Sequence, residues 1–114
     1  MKLVGSKTER EFLDVLTKSN EMLQDSNSKL RQILASDGHQ TNNAYVLHWI
    51  PEQLEDIYLV LIDGSYLVNI EINKHDIEAS PVIERKEVDH YLTSLSKINR
   101  IKLAVAKDLA CKKT

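Results

Sequence analysis

Four acidic side chains in the middle of the sequence have the chemistry and spacing to hold a cation or attract a basic partner. Glu52, Glu55 and Asp56 lie close together, and Glu71 follows farther along the chain. If Asp56 and Glu71 face each other across paired strands, their like charges repel, and a divalent cation or a partner's Lys or Arg would offset that repulsion. Three interpretations stay open: carboxylates splayed into water, a metal-ion site, or an acidic protein-binding patch.

Lys102 is the second candidate, because it falls between Ile98 and Val105 in an otherwise apolar helical stripe. An ammonium group on such a face is costly unless it is paired or its stem carries it to the helix edge. We therefore expect it either to snorkel at a helix or subunit edge or to pair with a carboxylate from the sheet. A catalytic lysine with a lowered pKa is the third alternative.

No other group of residues has the spacing of a catalytic or ligand-binding motif. His39, His48, His75 and His90 lack the H-x-H and H-E-x-x-H patterns of metal ligands. The single cysteine, Cys111, excludes an internal disulfide and a cysteine metal cage, and the isolated glycines cannot build a phosphate-binding loop. We expect no metal and no cofactor, and the pattern disfavours an enzyme without excluding one.

Charge is unevenly spread along the chain, whose net charge is −2. Residues 39–83 carry one basic and seven acidic side chains, whereas residues 84–114 carry eight basic and four acidic ones. Such a distribution can steer a charged partner or a second copy of the chain. The basic stripe of Lys97, Arg100 and Lys107 could contact phosphates, but the acidic total and the scarcity of aromatic residues disfavour nucleic-acid binding.

The size and composition are those of one globular domain spanning residues 1–114, with 42% hydrophobic and 28% charged residues. The N-terminus becomes charged before an apolar segment can form. The longest apolar run, residues 57–62, is far too short to cross a bilayer. We expect a cytoplasmic protein that does not contact a membrane.

The residue pattern in the N-terminal third of the sequence predicts a helix over residues 7–35. Ser6 followed by Glu9 is a capping-box pattern, and Asp37 followed by Gly38 is a stop signal. Between them, apolar residues recur at three- and four-residue spacing on one helical face; they are Phe12, Leu16, Leu23, Leu30 and Ile33.

Two Ser-Asn pairs, one beginning at Ser19 and one at Ser26, interrupt this apolar face. One interpretation is that Asp25 or Ser26 caps a second helix, so that the chain bends there. The other is a single helix that lets a neighbouring backbone approach closely at the serines. We favour the single helix.

Alternating apolar residues predict four strands in the middle of the chain. In the first, Tyr45, Leu47 and Trp49 share one face. The second, residues 56–62, is apolar on both faces, which predicts a central strand covered on both sides or an outer face used in assembly. The third ends near residue 73, and Pro81 places the fourth, residues 79–85, at a sheet edge.

Asp63 and Gly64 are the clearest turn signal, because a type I′ turn needs positive φ at both central residues. With these two residues as the loop, Asp56 pairs with Glu71, and Val60 pairs with Leu67 on the same face. That face is then apolar near the turn and acidic at its far end.

The C-terminal residues 86–110 predict one long amphipathic helix. Its expected buried residues are Val88, Tyr91, Leu95, Ile98, Val105 and Leu109. The order α-β-β-β-β-α predicts an α+β fold, a four-stranded antiparallel meander flanked by long N-terminal and C-terminal helices.

These features favour a small non-catalytic protein-interaction module, expected as a homodimer. Self-association could align the N-terminal helices or join two sheets through Val60, Leu67 and Ile62. The acidic patch could mask a basic partner, as inhibitor and immunity proteins do. The alternative is a ligand-binding or enzymatic domain with a pocket between sheet and helices.

Overall fold

The computed structural model of the chain describes residues 7–76, 78–92 and 95–113. The elements are α1 (Lys7–Gln24), α2 (Lys29–Ser36), β1 (Ala44–Pro51), β2 (Glu55–Ile62), β3 (Tyr66–Asn73), β4 (Val82–Glu87), α3 (Val88–Leu92) and α4 (Lys97–Lys113). The strands form one antiparallel sheet in the order β1-β2-β3-β4. The predicted α+β meander with helices before and after it is confirmed.

The N-terminal segment forms two helices, so the favoured single helix is wrong. Ser28 has extended backbone angles, and its hydroxyl accepts a hydrogen bond from the backbone N–H of Arg31 at 3.3 Å. Asp25 Oδ1 accepts from the N–H of Asn27 at 2.9 Å. These short side chains compete with the helix for backbone donors, which breaks it between residues 24 and 29. The predicted Ser6 cap lies outside the described residues.

Helix α1 runs along the outer edge of β1 and hydrogen-bonds to its backbone. Ser19 Oγ accepts from the N–H of Val46 at 3.0 Å, and Asn20 Nδ2 donates to the carbonyl of Ala44 at 3.0 Å. The close backbone approach at the first Ser-Asn pair therefore occurs as well as the bend. These bonds satisfy edge groups that would otherwise be open to another strand.

The β2–β3 hairpin has a three-residue loop, Asp63, Gly64 and Ser65, and the predicted two-residue register is wrong. Ile62 pairs with Tyr66, so each partner is displaced by one residue from the prediction. Asp63 (φ 53) and Gly64 (φ 69) do adopt positive φ. However, the N–H of Asp63 bonds to the carbonyl of Asn43 at 2.9 Å, and Ser65 closes the turn onto Ile62. A shift of one residue moves side chains to the opposite face.

Strand β1 contains a bulge that breaks the predicted alternation. Val46 pairs with Val60, but His48 pairs with Leu59, which leaves Leu47 as the extra residue. Beyond the bulge the side chains exchange faces, because two residues of β1 oppose one of β2. Trp49 therefore lies on the Val46 side of the sheet, not on the predicted side with Leu47.

Both faces of the sheet are covered. Face A, under α4 and the first half of α1, buries a cluster that includes Tyr45, Leu47, Leu59, Leu61, Leu67, Leu16 and Leu103. Face B, under α2 and the end of α1, buries Val46, Val60, Ile62, Val68, Ile70, Leu23 and Leu34. The first of the two interpretations of β2, a central strand covered on both sides, holds for residues 59–62, whereas residues 55–58 are only partly buried. Val60 and Leu67 are fully buried in different clusters.

The C-terminal segment is more divided than predicted. Residues 82–87 are strand β4, which lies at the sheet edge as Pro81 predicts, and two helices follow it. The junction at residues 93 and 94 lies outside the described residues. Val88 and Val105 are buried as expected, but Ile98 is 55% exposed. The buried amide of Asn43 donates to the carbonyl of Ala110 at 3.0 Å, which ties the end of α4 to the start of β1.

Candidate functional site

The predicted carboxylate pair is separated by the sheet. Asp56 pairs with Ile72 and Glu71 pairs with Ile57, so the two acidic residues are not opposite each other. Alternation along the strands places Asp56 on face B and Glu71 on face A. The longer hairpin loop causes this difference, because it shifts β3 by one residue relative to β2. A shared cation between these two carboxylates is excluded by the geometry.

Asp56 is occupied within the chain. Its Oδ1 accepts from Trp49 Nε1 at 3.2 Å and lies 3.4 Å from Lys74 Nζ. The Trp49 indole stacks on the Tyr58 ring, with centroids 6.3 Å apart and planes 7° apart. Burial, and then Asp56, raise the pKa of Tyr58. Asp56 is therefore a structural partner of the Trp49 ring and of a lysine.

The other acidic residues lie at or near the end of face A that α4 leaves uncovered. Ile50, Ile57, Glu71 and Val82 pair successively and form one row across all four strands. Ile50 is 50% and Val82 55% exposed, while Ile57 and Glu71 are half-buried. Glu55 and Glu84 flank this row on the same face. We call these six residues the distal face: Ile50, Glu55, Ile57, Glu71, Val82 and Glu84.

The carboxylates of the distal face have no cation beside them. Within the described residues, Glu55, Glu71 and Glu84 form no ion pair, and neither does Glu52 in the adjacent β1–β2 turn. The sequence prediction included Glu52, Glu55 and Glu71 but missed Ile50, Val82 and Glu84. The alternation of residues 82 and 84 in the sequence could have indicated Val82 and Glu84. Only the correct strand register, however, places these two side chains on face A.

Lys102 is half-buried beside an aromatic ring. Its Nζ lies 5.6 Å from the centroid of the Phe12 ring, and burial lowers its pKa. One of the three alternatives, an ion pair with a sheet carboxylate, is not found within the part of the chain that the structure describes. Burial, and then the charge of Lys102, lower the pKa of the nearby His48. The ammonium group is thus partly desolvated without a carboxylate to offset the cost.

Lys102 also lines a groove between α1 and β1, which we call the edge groove. It has a volume of about 480 Å³, and its apolar walls include Val15, Met22, Trp49 and Tyr58. Lys18 is the second lysine at its rim, paired with Asp14 at 2.9 Å. The sequence identified Lys102 as a charge on an apolar helical face, but it did not indicate the groove, which depends on the bulge that turns Trp49 to this side.

Asp37, His39 and Tyr66 form a hydrogen-bonded series of titratable side chains that resembles a catalytic set. His39 Nε2 lies 2.8 Å from Asp37 Oδ2, and its Nδ1 lies 2.7 Å from the Tyr66 hydroxyl. Burial raises the pKa of Tyr66, which opposes formation of a phenolate nucleophile. These two hydrogen bonds instead fasten the segment after α2 to the start of β3. Among the described residues, no cluster of three or more His, Cys, Asp or Glu could hold a metal ion.

Comparison of the sequence with protein-family models and with curated proteins, and of the structure with solved structures, gave no match. The described helices include none with the length and apolar character needed to cross a membrane.

Proposed function

We propose that this protein is a non-catalytic protein-interaction module that binds a basic partner through the distal face. The observation that carries the proposal is the row of Ile50, Ile57, Glu71 and Val82, in which exposed apolar side chains lie beside a carboxylate that forms no ion pair with any described residue. Binding of this kind would mask a basic surface on the partner.

The two kinds of side chain in the distal face have different effects on binding. Burial of Ile50 and Val82 against a partner contributes about 25 cal/mol for each Å² of apolar surface removed from water. The carboxylates of Glu55, Glu71 and Glu84 favour an approaching Arg or Lys and disfavour an acidic surface. A guanidinium placed over Glu71 would be surrounded by apolar side chains, and such desolvated charged contacts are frequent among hot spots.

A foreign partner is better supported than a second copy of the chain. Val60, Leu67 and Ile62, which the sequence suggested for joining two sheets, are all buried within one chain, and so are Leu16 and Leu23 of α1. A two-fold contact through the distal face would bring acidic residues of both copies together, which is unfavourable. Homodimerisation stays a prediction that sedimentation of the purified protein can test.

The rival function, a ligand-binding or enzymatic domain with a pocket between sheet and helices, has weaker support. Two open pockets, of about 380 and 480 Å³, lie between α2 and face B, and the second includes Asp56 and Lys74, which already form an ion pair with each other. Elsewhere the two apolar clusters pack the helices against the sheet. The edge groove is open at the surface, and two of its polar side chains are engaged elsewhere: Lys18 pairs with Asp14, and Ser19 bonds to backbone groups.

Charge reversal at the centre of the distal face tests the proposal. Three tagged proteins are each used to capture partners from the native cell: the wild type, the Glu71→Lys variant and the control Glu11→Lys. Glu11 is an exposed residue of α1, so the control makes the same charge change outside the distal face. We expect a partner with a basic contact surface to bind the wild type and the control but not Glu71→Lys, with the same order in calorimetry of the purified pair. Equal capture by all three proteins would overturn the proposal.

A further inference from the structure

The outer edge of β1 is closed by α1 along one half and open along the other. Ser19 and Asn20 satisfy the edge groups of Val46 and Ala44. After the bulge, Trp49 pairs with Tyr58, two residues before Val60 on β2. Because hydrogen-bonding directions alternate along an antiparallel ladder, Trp49 has the same orientation as Val46, with its N–H and C=O directed away from β2. The open half therefore offers a backbone donor and acceptor at Trp49.

Apolar side chains and one unpaired ammonium surround this backbone edge. Trp49 is 59%, Val15 50% and Met22 39% exposed, a large exposure for side chains of this type that line one groove. Lys18 already has Asp14 as its partner. Lys102 lies beside the Phe12 ring and near His48, and it forms no ion pair within the part of the chain that the structure describes. The edge groove thus combines apolar walls with a cation that a carboxylate would stabilise.

We propose that the edge groove binds a short, extended peptide segment of a partner protein, in which an acidic residue lies next to an apolar residue. The segment adds to the sheet edge by backbone hydrogen bonds to Trp49, its carboxylate contacts the Lys102 ammonium, and its apolar side chain packs on Trp49 and Met22. This site is separate from the distal face and selects the opposite charge.

The geometry favours a peptide over a simple amphiphilic acid and also limits its length. A fatty-acid anion could use the apolar walls and Lys102, but it would leave the N–H and C=O of Trp49 without partners. Pro51 has no N–H, and residues 44 to 46 are covered by α1, so backbone pairing is confined to a short stretch around Trp49. A short linear motif fits that stretch, whereas a long added strand does not.

Fluorescence titration tests the site directly, because Trp49 is the only tryptophan in the chain. The probes are the capped peptide acetyl-Thr-Leu-Glu-Val-Thr-amide and its twin with Gln in place of Glu. We expect saturable binding of the Glu peptide and about tenfold weaker binding of the Gln peptide, since a hydrogen bond to a charged group is worth at least that factor. No saturation by the Glu peptide at millimolar concentration, or equal binding of the two peptides, would overturn the proposal.

Variants on α4 test whether the Lys102 side chain causes the preference for the Glu peptide over the Gln peptide. Lys102→Met keeps the apolar stem and is expected to bind both peptides equally, whereas Lys102→Arg keeps the charge and the preference for Glu. Lys107→Met, an exposed position on the same helix, is the matched control and should behave as the wild type. Circular dichroism checks that each variant is folded. Discrimination that survives in Lys102→Met contradicts the assignment.

Two further measurements distinguish peptide binding in the edge groove from binding at the distal face and from binding of an amphiphilic acid. Glu71→Lys should bind the Glu peptide as the wild type does, so failure of the distal-face proposal leaves this one standing. Decanoate is titrated as the amphiphilic acid. If decanoate binds and both peptides do not, the groove is a site for apolar acids and the peptide proposal is wrong.

Discussion

The contact between α1 and the edge of β1 can be tested by removing one hydroxyl group. Ser19 Oγ accepts from the N–H of Val46 at 3.0 Å and also contacts the carbonyl of Leu16 at 2.7 Å. Ser19→Ala removes the acceptor and leaves the Val46 N–H under α1 without a partner. The carbonyl of Leu16 is less affected, because it lies within the helix, where backbone groups bond to each other.

The expected loss of stability follows from three contributions. An unsatisfied buried donor costs about 1 to 3 kcal/mol, and partial burial of this bond favours the lower half of that range. Alanine regains about 0.5 kcal/mol through its higher helix propensity. The net cost is therefore about 1 kcal/mol. For a chain of this length, that lowers the melting temperature by roughly 4 °C.

Urea denaturation of Ser19→Ala, Ser19→Thr and Ser26→Ala measures the effect. Ser26 begins the second Ser-Asn pair, but it is exposed in the bend between α1 and α2, so its replacement should cost less than about 0.5 kcal/mol. Threonine keeps the hydroxyl and should restore most of the loss. Faster amide exchange at Val46 in Ser19→Ala alone would locate the effect. If Ser19→Ala is as stable as Ser26→Ala, the hydroxyl does not close the sheet edge and the reasoning fails.

Three other predictions concern the interior and its pH dependence. Leu61→Ala, at a fully buried position of β2, should lower the free energy of unfolding by about 3 kcal/mol in urea, whereas Val82→Ala at the exposed edge should change it by less than about 0.5 kcal/mol. Asn43→Ala removes the donor to the Ala110 carbonyl and should cost about 1 kcal/mol by thermal unfolding; a variant as stable as the wild type would show that this bond contributes nothing. Burial and Lys102 lower the pKa of His48 in the folded protein, so as pH falls the unfolded chain takes up this proton first, and stability should decrease below about pH 6.5. The His48→Gln variant, compared with the wild type between neutral and mildly acidic pH, should lack that part of the decrease; identical curves would contradict it.

The architecture was predictable because it depends on local periodicity. The Asp63-Gly64 signal located the β2–β3 hairpin, and the apolar run in β2 indicated a strand covered on both sides. The length of the loop was not predictable, since the N–H of Asp63 bonds to Asn43, a residue far away in sequence. The bend before Ser28 lay within reach of the sequence, which offered a cap in this region as one of two interpretations.

The candidate sites were predictable only as a set of residue types. Glu71 was singled out for a pairing with Asp56 that the structure does not show, and Lys102 for its position in an apolar helical stripe. Which neighbours they have depends on single-residue shifts, one in the hairpin loop and one at the Leu47 bulge. The shift in the hairpin loop places Asp56 and Glu71 on opposite faces of the sheet. The bulge places the Trp49 side chain on the face that lines the edge groove. Periodicity carries no information about such a shift when both faces of a strand are apolar.

The bond between Asn43 and Ala110 joins residues from the middle and the end of the chain. During synthesis, α1, α2 and the meander leave the ribosome before α4, which supplies much of the cover over face A. Until that helix docks, Leu61 and Leu67 remain exposed on a nascent sheet. Helix α4, which is translated after the sheet that it covers, therefore completes this part of the fold, and we expect chains stalled before it to be held by chaperones rather than released as native protein.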